Sequence, residues 1–317
     1  MVYYPYFRGK QFELIAIRES ASLIAKSGFV PIIEPVRESL TSLTRTLAAL
    51  AEAQAKAIVI TNPRHGDLRE DGRGILEMLD STYPNDRDIT AGVLLTSETS
   101  LQEAINELRS DSAWNPSLIH AGFAAPNELA AALQERGEDA RVHVFIDDKA
   151  NTLYRRHFRG SNRILVKDGF ERMKNSAFPP LDNFSDLHAT YTDFGMDGFG
   201  DFLTVGDFYS EGGGPAYAVA IHLTFVDATQ DNTMRIYHFV SDSNDTPTDP
   251  AGKFAQALQK LIAALDTGTS GLLETSAITE FRELYERQHF PGLGHVKKLS
   301  MKHHMETLAA YEQSANA

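Results

Sequence analysis

The stretch Val142-His143-Val144-Phe145-Ile146-Asp147 is a short β-branched and apolar run that stops abruptly at a carboxylate. Seven further runs of this kind occur in the chain, at residues 2–7, 29–33, 57–60, 90–95, 117–119, 163–166 and 202–205. Stretches with helical periodicity separate most of them. Such alternation predicts parallel strands joined by right-handed crossovers. Eight units are typical of a (β/α)8 TIM-like barrel, whose functional face is the C-terminal end of its strands.

The remaining segments predict additions to this barrel. Residues 171–201 lack a clean crossover helix, and their glycines and acidic residues are typical of an irregular loop. Two strand-like runs within residues 209–242 predict an inserted β-hairpin, and residues 250–317 predict additional C-terminal helices. No linker separates these segments, so we expect a single domain over residues 1–317. A competing register would make residues 29–34 strand one and residues 217–225 strand eight.

Composition and charge narrow the class of protein. The 317 residues contain 42% hydrophobic and 23% charged residues, which is typical of a globular protein. Asp and Glu number 43 against 30 Lys and Arg, and the resulting net charge of −13 disfavours nucleic acid as a general partner. The absence of cysteine excludes disulfides and thiolate chemistry. No run is long enough for a membrane span, and no signal peptide is recognisable, so we expect a cytoplasmic protein.

Polar residues at or just after the predicted strand ends form the candidate site. Carboxylates with a histidine and no cysteine suit a hard ion such as Mg²⁺ or Mn²⁺. The predicted metal ligands are Glu34, Asp147 and Asp207. The predicted catalytic residues are Glu34, His120, Lys167, Asp168 and Asp207. Arg8, Lys10 and Asn62 are predicted to bind a small anionic ligand. The alternative interpretation is that these polar residues bond only to turns or to one another.

Two further features of the sequence can each be explained in two ways. Gly212 and Gly213 follow the last predicted strand, where barrels often bind phosphate through backbone N–H groups, but a flexible linker explains them equally well. A basic cluster near the C-terminus stands out in an acidic protein: Lys297, Lys298, Lys302, His303 and His304. It predicts a surface for an acidic partner or a nucleic-acid end, or merely a helix with a basic polar face.

Both ends of the chain carry a family resemblance. The N-terminus contains Tyr3-Tyr4-Pro5, then Arg8, and then Lys10 three residues before Glu13; a Pro31-Ile32-Ile33-Glu34-Pro35 strand follows. These motifs resemble the opening of the "beta protein" family, which is named after a phage T4 protein. Residues 292–300 are similar to a bacterial branch of that family, usually encoded beside a nuclease-like protein of the PD-(D/E)XK type. The resemblance implies a barrel-like fold and a place in bacterial conflict or anti-phage loci, and it transfers no catalytic residue.

Two functional hypotheses follow from the sequence. In the first, the chain is a subunit of a defence module that binds and regulates a nuclease-like partner, with a ligand site at the barrel mouth. In the second, it is a metal-dependent barrel hydrolase of a phosphorylated or nucleotide substrate. Fold analogy cannot choose between them, because barrels host many functions. We favour the first hypothesis.

Overall fold

A computed structural model of the chain describes residues 2–84, 86–109, 115–138, 141–212, 214 and 216–315. The predicted ligand residue Gly213 lies outside the described residues. The strands are, in chain order, β1 (Tyr6–Phe7), β2 (Ile32–Ile33), β3 (Ala57–Ile60), β4 (Ile89–Thr96), β5 (Ser117–Ala121), β6 (Val142–Ile146), β7 (Asn162–Val166), β8 (Leu181–Ser185), β9 (Gly198–Gly200), β10 (Ala220–Asp227) and β11 (Thr233–Val240).

Helices connect and follow these strands. They are α1 (Gln11–Glu19), α2 (Ala21–Lys26), α3 (Thr41–Glu52), α4 (Arg73–Thr82), α5 (Leu101–Arg109), α6 (Pro126–Glu135), α7 (Thr152–Arg155), α8 (Leu187–Thr190), α9 (Pro250–Asp266), α10 (Ser276–Glu286) and α11 (Leu293–Ala315). A 3-10 helix, Arg156–Phe158, continues α7. None of the described helices combines the length and apolar character needed to cross a bilayer.

The contacts divide the chain into two compact units. The first comprises residues 1–168 and 190–201, and the second comprises residues 169–189 and 202–317. In the first unit, eight strands form an all-parallel, nearly closed barrel-like sheet in the order β1-β2-β3-β4-β5-β6-β7-β9. Helices connect successive strands of this sheet, so the first unit has the α/β character that the alternating runs predict.

Hydrogen bonds also join the two ends of this sheet. The amide of Tyr4 donates to the carbonyl of Phe199 at 2.7 Å, and the amide of Tyr6 donates to the carbonyl of Asp201 at 2.9 Å. The N-terminal run therefore lies in the parallel sheet, with Tyr6 in register with Ile32. This confirms the N-terminal run as the first strand, as in the preferred register. The competing one is wrong, because β10 pairs antiparallel with β11 in a separate sheet.

The predicted position of the eighth strand is wrong. Residues 202–205 contain no strand, since residues 203–205 form a turn, and the strand is the glycine-containing segment Gly198–Gly200, which the sequence led us to expect in an irregular loop. The reason is a close approach of the N-terminal run. A Cβ at position 198 would lie 2.8 Å from the carbonyl oxygen of Val2, and one at position 200 would lie 2.1 Å from that of Tyr4. Only glycine fits at positions 198 and 200, where the backbones of β9 and the N-terminal run lie against each other. We call this contact the glycine seam.

The second unit contains a three-stranded antiparallel sheet in the order β10-β11-β8. The predicted hairpin is confirmed as β10 and β11, and β8 is a strand that the sequence did not predict. The apolar faces of β10 and β11 share a buried core with α9, α10 and α11, as the side chains of Ile221, Phe254 and Phe281 illustrate. The predicted C-terminal helices are thus confirmed. The Asp249 side chain caps α9 by accepting from the amide of Gly252 at 2.9 Å.

Candidate functional site

Arg8 and Glu34 lie side by side at the C-terminal ends of β1 and β2. Each residue directly follows its strand, and the parallel register of Phe7 with Ile33 brings the two side chains together. Arg8 Nη1 donates to Glu34 Oε2 at 2.5 Å, and the two side chains are only 4% and 0% exposed. Such a pair is removed from water, so each charge depends on the other for compensation.

Three groups of the protein donate hydrogen bonds to the Glu34 carboxylate. Besides Arg8, the hydroxyl of Tyr6 donates to Oε2 at 2.9 Å, and the backbone amide of Arg64 donates to Oε1 at 3.0 Å. Burial, and then the charge of Glu34, raise the pKa of the Tyr6 hydroxyl well above its usual value. Tyr6 therefore stays a hydrogen-bond donor to this carboxylate. We call Tyr6, Arg8, Glu34 and Arg64 the strand-end cluster.

Two neighbouring side chains extend the strand-end cluster. Glu13, in the first turn of α1, is buried and accepts from the backbone amide of Arg8 at 2.5 Å. Burial raises the pKa of its carboxyl group. His65 accepts from Arg64 Nε at 3.1 Å, with the ring nitrogen Nε2 as acceptor, and burial lowers the pKa of its imidazole to about 4. At neutral pH His65 is therefore uncharged beside two arginines.

Sequence reasoning missed part of this cluster. The sequence motifs include Glu13, but they do not include Tyr6, Arg64 or His65. The available signal was the spacing of Glu13 in the family motif, because a side chain at that position can contact the end of the first strand. Arg64 contacts Glu34 through its backbone, which no residue-type pattern reveals.

The structure places Asn62 in a structural role. Its side-chain amide accepts from the backbone amide of Leu94 at 2.7 Å and donates to the carbonyl of the same residue at 3.0 Å. Both polar ends of the side chain thus replace the backbone pairing that this segment would offer to β4 beyond Thr61. Lys10 is the N-cap residue of α1.

The remaining predicted residues follow other strands of the parallel sheet or belong to the second unit. Asp147 follows β6 and accepts from Arg155 Nη1 at 2.8 Å. Lys167 and Asp168 follow β7 and are exposed, and the backbone amide of Lys167 donates to the carbonyl of Gly200 at 3.0 Å. Asp207 and the exposed Gly212 belong to the second unit. Among the residues that the structure describes, no three His, Cys, Asp or Glu side chains form a group that could hold a metal ion.

Asp201 occupies the position at which we expected an acidic residue after the eighth strand. It directly follows β9 and accepts from the Tyr3 hydroxyl at 2.6 Å. Burial, and then the charge of Asp201, raise the pKa of Tyr3 well above its usual value. This carboxylate is buried and bonded within its own unit, as Glu34 is.

His120 does not join the strand-end cluster. It is fully buried, and its ring stacks with Phe145 at 4.7 Å between centroids and lies against Phe158 at the same distance. Its Nδ1 is 2.7 Å from the Tyr154 hydroxyl, and its Nε2 is 2.9 Å from Nδ1 of His143. His120 therefore faces the connection that follows β6. We call His120, His143 and Tyr154 the histidine chain.

The predicted C-terminal basic patch is largely absent from the surface. Lys298, His303 and His304 are buried, and Lys298 lies 3.9 Å from the carboxylate of Glu280. The two histidines bond the hydroxyls of Thr275 and Thr224, each at 2.8 Å. Burial lowers the pKa of His303 to about 4, so its ring is neutral at pH 7. Of the predicted cluster, Lys297 is exposed and Lys302 is half-buried.

Comparisons with known proteins add no relative: no family model, no curated protein and no solved structure matches this chain.

Proposed function

We propose that this chain is a binding subunit of a bacterial conflict or anti-phage defence module, where it binds and regulates a nuclease-like protein. The partner and its setting rest on the resemblance of residues 3–14, 31–35 and 292–300 to the "beta protein" family. The choice of binding over hydrolysis rests on one observation. The carboxylate of Glu34, the residue on which both predicted catalysis and predicted metal binding depend, is bonded inside the protein.

The physical argument concerns the oxygens of that carboxylate. A general base or a metal ligand needs an oxygen within hydrogen-bond or coordination reach of the substrate or ion. Glu34 is fully buried, with Arg8 and Tyr6 on Oε2 and the Arg64 amide on Oε1. Breaking these contacts would leave Arg8 as a buried charge that only Glu13 compensates, and only in part. The strand-end cluster is therefore better suited to hold the first three strands together than to perform chemistry.

The proposal also covers the complete fold class of the chain. We infer a (β/α)8-type barrel from the order of the parallel strands and from the hydrogen bonds between β9 and the N-terminal run. In such barrels the loops after the strands vary independently of the scaffold, so they are the segments that acquire new partners. We propose that these loops contribute to the surface that the nuclease-like protein contacts.

A reconstitution experiment tests the proposed function. The purified chain is mixed with the nuclease-like protein that the resemblance predicts beside its gene, at about 50 µM each, where a specific complex with a Kd of about 1 µM would be nearly saturated. We expect co-elution in size-exclusion chromatography with light scattering, and a changed nuclease activity of the partner. Separate elution with unchanged nuclease activity would contradict the proposal. So would Mg²⁺- or Mn²⁺-dependent nucleotide hydrolysis by the chain alone that Glu34→Gln abolishes without unfolding it.

A further inference from the structure

The segment that connects β6 to β7 is strongly basic in an acidic protein. The whole chain has a net charge of −13, but residues 149–163 contain no Asp or Glu. Their cationic residues are Lys149, Arg155, Arg156, Arg159 and Arg163. A local excess of one sign of charge produces a potential that attracts the opposite charge. We therefore expect this part of the first unit to attract acidic groups.

The helical turns of this segment have a buried side and an exposed side. Arg155 and Phe158 are buried, and the ring of Phe158 contacts both imidazoles of the histidine chain. Leu153, Arg156 and His157 are exposed. Side chains three and four positions apart lie on the same side of a helix. These three residues therefore share the outer side of α7 and of the 3-10 helix that continues it.

Two arginines of the segment are unpaired within the described part of the chain. Arg155 pairs with the carboxylate of Asp147, at 2.8 Å between Nη1 and Oδ1. Arg156 and Arg159 are exposed, and the side chain of neither forms an ion pair or a hydrogen bond with another described residue. Their guanidinium groups are thus available to an acidic group from outside. We call Leu153, Arg156, His157 and Arg159 the cationic face.

An apolar side chain lies at one end of the cationic face. Leu153 is 67% exposed, more than any other exposed large hydrophobic residue that the structure describes. A single exposed leucine is common on protein surfaces. Beside two unpaired arginines it is more informative, because arginine is enriched at protein–protein interfaces and an exposed leucine is stabilised when a partner covers it. The combination favours a protein as the partner of this face.

The other end of the cationic face borders an open cleft. The cleft lies between α6 and the 3-10 helix and has a volume of about 280 Å³. Its exposed lining residues include Asn127 and Gln134 of α6 together with His157 and Arg159, and no Asp or Glu occurs among its described lining residues. A carboxylate side chain of a partner can therefore lie beside Arg159 without meeting a like charge.

We propose that the cationic face docks an acidic segment of a protein partner; this rests on the proposed function, in which the nuclease-like protein carries that segment. The six residue steps from Leu153 to Arg159 span about 10 Å, or about two turns of a partner helix. One apolar side chain of the segment covers Leu153. Carboxylates one and two turns beyond it pair with Arg156 and Arg159, each through two parallel hydrogen bonds. Nucleic acid fits less well, because the net charge of −13 repels it and phosphates would leave Leu153 uncovered.

Affinity measurements between the full chain and the nuclease-like protein test the proposal. The double variant Arg156→Glu/Arg159→Glu reverses both charges, and we expect it to raise the Kd at least about 30-fold at roughly 100 mM salt. Leu153→Ser should raise the Kd about tenfold, because the partner no longer covers an apolar side chain. Raising the salt to roughly 500 mM should weaken binding of the unaltered chain more than binding of the double variant.

The matched control is Arg45→Glu/Lys56→Glu. It changes the net charge by the same amount at two exposed residues of the first unit, in the connection between β2 and β3. We expect its Kd to stay within about threefold of that of the unaltered chain, since these positions lie on another connection. All the substituted residues are exposed, so each variant should keep the urea unfolding midpoint of the unaltered chain.

The possible results separate this proposal from the proposed function. Equal affinity of the double variant and its control would overturn the cationic face as the docking surface and leave the proposed function intact. No binding of the unaltered chain at about 50 µM would overturn both. Tighter binding of single-stranded DNA than of the nuclease-like protein would assign the face to another occupant and refute the proposal. Self-association of the chain that the double variant abolishes would refute it in the same way.

Discussion

Replacing Glu34 by Gln is the sharpest test of the interpretation of the strand-end cluster. The substitution keeps the shape of the side chain and removes its charge. Arg8, which is 4% exposed, then keeps a buried positive charge without its 2.5 Å partner. The new amide group also places two hydrogens where one carboxylate oxygen now accepts. That oxygen is the acceptor either for Tyr6 and Arg8 or for Arg64. At least one buried donor is therefore left facing another donor.

The size of the effect follows from this arrangement. Removing one member of a buried ion pair typically costs about 3–5 kcal/mol. The carboxylate of Glu13 is close enough to interact with Arg8 electrostatically, so it compensates part of the lost charge. We therefore expect Glu34→Gln to lower the free energy of unfolding by about 3 kcal/mol, at the lower end of that range. An effect of this size would show that the carboxylate stabilises the fold.

Urea unfolding followed by circular dichroism measures this free energy. The double variant Arg8→Met/Glu34→Gln removes both charges, so we expect it to lose at least about 1 kcal/mol less than the sum of the single variants. Asp71→Asn is the control, because it breaks an exposed pair with Arg73 and should leave the unfolding midpoint unchanged. A loss below about 1 kcal/mol for Glu34→Gln, or additive single effects, would refute the reasoning.

Two further predictions concern the glycine seam and the buried histidines. Gly200→Ala should destabilise the protein by about 1–3 kcal/mol in thermal or urea unfolding, because the new Cβ would lie 2.1 Å from the Tyr4 carbonyl oxygen. Gly212→Ala should have no effect, because no atom of the described residues lies within 4 Å of a Cβ there, and equal behaviour of the two variants would count against the seam. Burial lowers the pKa of His143 to about 3 and that of His238 to about 4. The folded state therefore binds fewer protons than the unfolded state, and stability should fall as pH falls from about 6.5 towards 4, by about 1.4 kcal/mol per pH unit for each such histidine. A free energy of unfolding that is flat over this range would contradict the burial of these rings.

The first seven strands of the parallel sheet were predictable because their apolar and β-branched runs are strong local signals. The eighth was not, because Gly198 and Gly200 have low strand propensity. Their place in the sheet is set by the backbone of residues 2–4, which lie far away in sequence. Strand β8 was missed for a similar reason. Its alternation of apolar and polar residues is weak, and its antiparallel partner β11 is distant in the sequence.

The candidate site was predictable only in part. Adjacent parallel strands bring Arg8 and Glu34 together, and the strand order alone suggests that proximity. Whether two charges face a ligand or each other depends on side-chain geometry, which a single sequence does not contain. His120 was misplaced for a different reason. The run appeared to end at Ile119, but β5 continues to Ala121, so the alternation of the strand turns His120 towards Phe145 and Tyr154.

The seam between β9 and the N-terminal run has a consequence for biosynthesis. The hydrogen bond from the Tyr3 hydroxyl to Asp201 joins residues 198 positions apart in the chain. At a translation rate of about 5–20 residues per second, the first strand waits roughly 10–40 s for this partner to be made. During that time one edge of the growing sheet has no neighbour, which is a known route to mispairing between chains. Slower translation before residue 201 would lengthen this exposure and lower the yield of folded protein.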